Sequence, residues 1–119
     1  MMSSPPELTQ AAFLTSLVAH FPSLASEVLD EDYEGLIHLQ VGCLARYANA
    51  CLATARLDEL ARVIRFFEAT VERVDSRTEN ALYVSFLEHL DVEGETENAR
   101  QARQLLSPHY RRIWQALRA

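Results

Sequence analysis

Asp30, Asp32 and Glu34, followed by Gly35, place carboxylates at the first, third and fifth positions of a calcium-loop spacing, with a glycine after them for the turn. Ile37 falls at the apolar eighth position of such a loop. The twelfth position, which needs a bidentate glutamate, is Val41, so the cage stays open and the segment reads as a solvated acidic link between helices. His20, His38, His89 and His109 fall on four different predicted helices, without the i, i+3 or i, i+4 pairing of helical zinc sites. The Glu-x-x-His motif of di-iron bundles is absent, as are a G-x-S-x-G elbow, a Walker loop and a glycine-rich dinucleotide turn. These residues imply no metal, no cofactor and no catalytic apparatus.

Two other groups could do chemistry. Glu68 and Glu88 each border a predicted apolar stripe, and paired carboxylates in a cleft can act as acid and base, which would make a small hydrolase. The structural alternative is that an arginine such as Arg46, Arg62 or Arg65, or free helix-end amides, hold each acid and so orient a helical hairpin. Near the C-terminus, Arg100, Arg103, Arg111 and Arg112 lie close to Tyr110 and Trp114, a mixture that can contact nucleic acid. The net acidity of the chain opposes phosphate approach, and Ile113 and Trp114 have the spacing of core anchors, so a nucleic-acid partner is disfavoured.

Helices must position these residues. Ser4 before Pro5 and Pro6 forms a helix start, and Leu14, Leu17, Val18 and Phe21 share one helical face before Pro22 ends it. Ser23 to Leu29 can form a short second helix. From Tyr33 to Thr54, Ile37, Val41, Leu44, Ala48, Cys51 and Ala55 recur at steps of four and three, which predicts a central helix. Leu57, Leu60, Ile64, Phe67 and Val71 restart the pattern with no glycine or proline to mark the break. Ser76-x-x-Glu79 reads as a capping box, opening a fifth helix that runs to about Leu90. After a loop around Gly94, Thr96 caps a sixth helix, and Ser107-Pro108 opens a last one through Tyr110, Ile113, Trp114 and Leu117. No alternating strand pattern competes. The expected fold is all-α, a compact bundle of six or seven helices built from antiparallel hairpins, with Phe67, Phe86, Leu87 and Trp114 among its core anchors.

The 119 residues suit one domain spanning 1–119, and 49% hydrophobic with 24% charged residues is the composition of a soluble globular protein. Every one of the eleven bases is arginine. Residues 1–97 hold all 17 acids and 6 arginines, a balance of −11, while residues 98–119 hold 5 arginines and no acid. No apolar run approaches the roughly 20 residues that span a bilayer. The first positive side chain is Arg46, which opposes a secretory signal. Cys43 and Cys51 are eight apart in one predicted helix, about 12 Å of rise, too far for a disulfide. Reduced, buried thiols and no export signal predict a cytoplasmic protein without a membrane partner.

Phe67 and Glu68, then Asp75, Asn80, Ala81, Val84, Phe86, Leu87, Glu88 and Leu90, resemble a group of small helical bacterial proteins. Their signature reads F-E, an acidic turn, N-A, then V-x-F-L-E-x-L. Leu106, Ser107, Pro108 and Trp114 resemble the closing element of the same group, with Ser107 where glycine is commoner. The resemblance covers about residues 57–117. Members of the group look like the immunity proteins encoded beside polymorphic or contact-dependent toxins, each of which binds and neutralises one cognate toxin.

That resemblance implies a binding protein and not an enzyme, and the charge pattern gives the binding a physical means. Inhibitors of basic nuclease domains present carboxylates where the toxin expects phosphates, which accelerates association. The dense acids here are Glu27, Asp30, Glu31, Asp32 and Glu34, with Tyr33 as an aromatic anchor among them, and Asp91, Glu93, Glu95 and Glu97. Both groups are expected to face the partner. The alternatives are a non-catalytic scaffold or regulatory subunit using the same surface, and the hydrolase built on Glu68 and Glu88.

Overall fold

Apolar side chains recurring three and four apart can share one shielded face only in a helix. In the computed structural model, which describes residues 8–119, seven α-helices gather them: α1 (Gln10–His20), α2 (Ala25–Val28), α3 (Ile37–Ala53), α4 (Leu57–Thr70), α5 (Ser76–Ala81), α6 (Glu97–Leu105) and α7 (Pro108–Leu117). Among the described residues there is no β-strand, only an isolated bridge between Leu8 and Val74. The helix start expected at Ser4 to Pro6 lies outside the described residues; within them, the Thr9 hydroxyl caps α1 by accepting from the Ala12 N–H at 3.0 Å.

The central helix α3 packs against α2, α4 and the segment that follows α5. One continuous core runs from Phe13 to Trp114. Phe67 lies at its centre, 5.1 Å from the Phe86 ring and 5.2 Å from that of Tyr110, while Phe13, Phe21 and Phe66 cluster nearby. Phe67, Phe86, Leu87 and Trp114 are all buried, and the Trp114 indole N–H donates to the Leu90 carbonyl at 3.1 Å. Cys43 and Cys51 are free and buried. Burial, aided by the neighbouring Glu27, pushes the Cys43 thiol up to about 11, which leaves almost no thiolate at neutral pH.

Three boundaries differ from the sequence reading, each for a local physical reason, while the break between α3 and α4 falls where the restart at Leu57 places it. α3 begins at Ile37 and not at Tyr33, because the Asp30 carboxylate accepts the Asp32 N–H at 2.8 Å, folding Glu31–Tyr33 into a 3₁₀ turn. Gly35 then takes φ +76°. The unmarked break between α3 and α4 is a Schellman turn built on an alanine. Ala55 adopts φ 59°, its N–H bonds the Leu52 carbonyl, and the Arg56 N–H bonds the Cys51 carbonyl at 2.7 Å. The cap of α5 is Asp75, one residue before the expected Ser76: its carboxylate accepts the Thr78 N–H at 2.8 Å. A backbone donor so placed holds the Asp75 carboxyl below its ordinary range. Finally, the fifth helix does not run evenly to Leu90. It widens into a π-turn at Leu82–Phe86 and tightens into a 3₁₀ turn at Leu87–His89. Leu82, Phe86, Leu87 and Leu90 all stay in the core through these changes of pitch.

Candidate functional site

The two acidic segments part company once their neighbours are placed. In residues 30–34, every carboxylate is on an exposed residue, and among the described residues none pairs with an arginine or histidine. Asp30 has one local task, capping the 3₁₀ turn, and Tyr33 is half-buried, packed against the core instead of standing out as a free anchor. The turn is flanked by apolar side chains left in water: Leu29 is 58% exposed, Leu36 47% and Leu39 46%. Glu27 stands just before this turn, but its carboxylate is spent on Arg46, whose Nη2 donates at 2.8 Å.

Residues 91–97 are tied down. Arg103 of α6 donates through Nη1 to the carbonyls of Val92 at 2.5 Å and Gly94 at 2.7 Å. Arg118 donates to the Glu88 carbonyl and to Glu93, both at 2.6 Å, and comes within 3.9 Å of Asp91. Its guanidinium also lies 5.6 Å from the centre of the Trp114 ring. The Asp91 N–H is held by the Asn49 side-chain oxygen at 2.9 Å, and Glu97 engages Gln101 at 3.0 Å and, loosely, Arg100. Glu95 alone of this group has no such partner among the described residues. Arg103 and Arg118 are therefore consumed internally. Arg111 likewise donates to the Arg103 and Leu106 carbonyls, at 3.1 and 2.9 Å. Three of the five arginines in residues 98–119 close the α6–α7 end of the fold.

A groove of about 580 Å³ lies between α3 and the π-turn, a feature that sequence reading missed. His38, Leu39, Arg46 and Asn49 of α3 line it, facing Ser85, His89, Asp91 and Arg118. Its two arginines each hold a carboxylate, Glu27 on Arg46 and Glu93 on Arg118. Inside it, His38 Nδ1 and the Ser85 hydroxyl are 2.7 Å apart. A serine and a histidine in contact are the minimal nucleophile and base, but among the described residues no carboxylate hydrogen-bonds the other His38 nitrogen. The pair's evident task is to tie α3 to the π-turn, as Asn49 does by donating to the His89 carbonyl at 2.8 Å. The sequence held no signal for this pairing, since its members are 47 positions apart.

Glu68 and Glu88 are set to separate tasks. The Glu68 carboxylate accepts the Ser107 N–H at 2.9 Å, which fastens α4 to the entry of α7. Glu88 lines a shallow depression with His89, Glu93, Leu117 and Arg118, in which Glu68 has no part. Among the described residues no group of three His, Cys, Asp or Glu side chains is placed to hold a metal ion. No described helix is long and apolar enough to cross a membrane.

The chain matches the family described as a domain of unknown function, DUF7674, over residues 14–119, and therefore belongs to it. No curated protein and no solved structure matches it significantly.

Proposed function

We propose that this protein is a non-catalytic, immunity-type inhibitor that binds and neutralises a cognate bacterial toxin through the acidic turn at residues 30–34. The observation that carries the reading is the state of that turn: exposed carboxylates without cationic partners among the described residues, beside three leucines about half exposed. Carboxylates left unpaired raise the local negative potential and steer a basic surface toward the turn, and adjoining apolar side chains supply contact area once it arrives. A partner such as a basic nuclease domain meets both conditions. The resemblance of the Phe67 to Leu90 signature to immunity-like proteins supports the same reading, and a buried free thiol in Cys43 suits a cytoplasmic setting.

The test is co-expression with the C-terminal domain of the protein encoded by the adjacent gene, scored by growth. Rescue by the wild-type chain, lost when Glu31, Asp32 and Glu34 are together changed to arginine, is the expected result. Rescue that survives this change removes the turn from the interface, and absence of rescue by the wild type removes the toxin.

A further inference from the structure

Behind the acidic turn lies a second cavity, of about 390 Å³, walled by Leu14 and Leu29 and rimmed by Asp30, Glu31 and Glu34. Gln40 of α3 also lines it and is only 3% exposed. The Gln40 Nε2 donates to the Val28 carbonyl at 3.1 Å, which fixes the carboxamide's orientation, and its Oε1 is buried with no donor among the described residues. A buried acceptor without a donor is uncommon in folded proteins, because it forfeits its bond to water and gains nothing back. Gln40 thus lines a cavity together with the unpaired carboxylates of Asp30, Glu31 and Glu34.

We propose that this cavity receives an arginine side chain of the partner, with Gln40 Oε1 accepting an N–H of its guanidinium and Glu31 and Glu34 accepting the others. The inference rests on the partner-binding reading above and names the chemistry of its contact. Three features select arginine. The carboxylates are too dispersed to close on a metal ion. A guanidinium spreads five N–H donors across a plane, so it can satisfy a recessed acceptor and rim carboxylates together, where an ammonium concentrates its charge at one point. Leu14 and Leu29 provide apolar walls for the side chain's methylene stem. Leu29, already mostly in water, is the wall that gives way to bring the donor to Oε1.

The full chain, labelled with ¹⁵N, is titrated with Nα-acetyl-arginine methylamide and, separately, with its lysine analogue. The expected result is a saturable shift of the Gln40 side-chain amide and the Gly35 backbone amide, at least threefold tighter for arginine. Changing Glu31 and Glu34 together to glutamine weakens that response at least threefold, and Gln40→Leu removes it at Gly35. Should Gln40→Leu fail to fold, the glutamate pair alone decides. No saturable shift, an equal response to lysine, or undiminished binding by the glutamine pair overturns the proposal. A chain that rescues growth but gives no arginine response overturns the cavity and leaves the partner reading standing; an arginine response from a chain that fails to rescue does the reverse.

Discussion

Residues 30–34 and 91–97 are alike in composition and opposite in use. Both are acidic links between helices, but arginines of the last two helices reach back to the second and bond its carbonyls and carboxylates, while the first is left to solvent. Density of charge along a chain thus says little about where a partner binds. The neighbours decide, because a carboxylate already holding a guanidinium has lost much of its field and its freedom.

If the second segment is a closed part of the fold, removing what holds it should be costly. Trp114→Ala, which also frees the Leu90 carbonyl just before the segment, should lose about 3 to 5 kcal/mol in chemical denaturation, and a loss below about 1 kcal/mol would show that the ring is not a core anchor. Arg103→Ala leaves two carbonyls without their donor and should cost about 1 to 3 kcal/mol, with faster amide exchange confined to residues near 91–97.

Glu59 on α4 sets the scale for a carboxylate with dedicated donors. Arg62, at 2.7 Å, and the Tyr47 hydroxyl hold its carboxyl down to about 2, from an ordinary 4.5. A depressed pKa adds stability above the unfolded value that is lost as pH falls through the folded one. Glu59→Gln should therefore destabilise by about 1 to 2 kcal/mol at pH 7, allowing for solvent screening, with the difference from wild type shrinking between pH 4.5 and about 2. Changing Glu31, Asp32 and Glu34 to arginine, by contrast, should move stability by less than about 0.5 kcal/mol. Asp30 is excluded from that set because it caps its own turn.

A change of opposite sign belongs to the hairpin turn between α3 and α4. Ala55→Gly relieves a left-handed alanine and should stabilise the protein by about 0.5 to 1 kcal/mol, read as a shift of the thermal midpoint.

This turn also shows what the sequence could and could not disclose. The helices were legible because Ile37 to Cys51 and Leu57 to Val71 repeat at helical spacing, and that signal is local. The break between them was legible only as a restart, because an alanine in the glycine position of a Schellman turn has no distinctive signature. Asp75 and Ser76 are adjacent cap formers, and choosing between them needs the backbone angles. The π-turn was invisible, since Leu82, Phe86, Leu87 and Leu90 also share one face of a regular helix and their spacing carries no sign of a change of pitch. The ten acidic-segment residues were found by composition, yet nothing local says which of them an arginine reaches. Arg103, Arg111 and Arg118 end on backbone carbonyls, which every residue possesses. Gln40, a lone glutamine on an apolar helix, carries no sequence signal that sets it apart.

The central claim is that the open turn, and not the closed segment, meets the partner. It is tested most directly by the association rate with the proposed toxin domain, followed by stopped-flow across a range of salt. Reversal of Glu31, Asp32 and Glu34 should slow association at least tenfold at low salt and flatten its salt dependence, while reversal of Glu93, Glu95 and Glu97 should leave the rate within about twofold of wild type. Equal slowing by the two reversals, or a rate untouched by the first, would contradict the account.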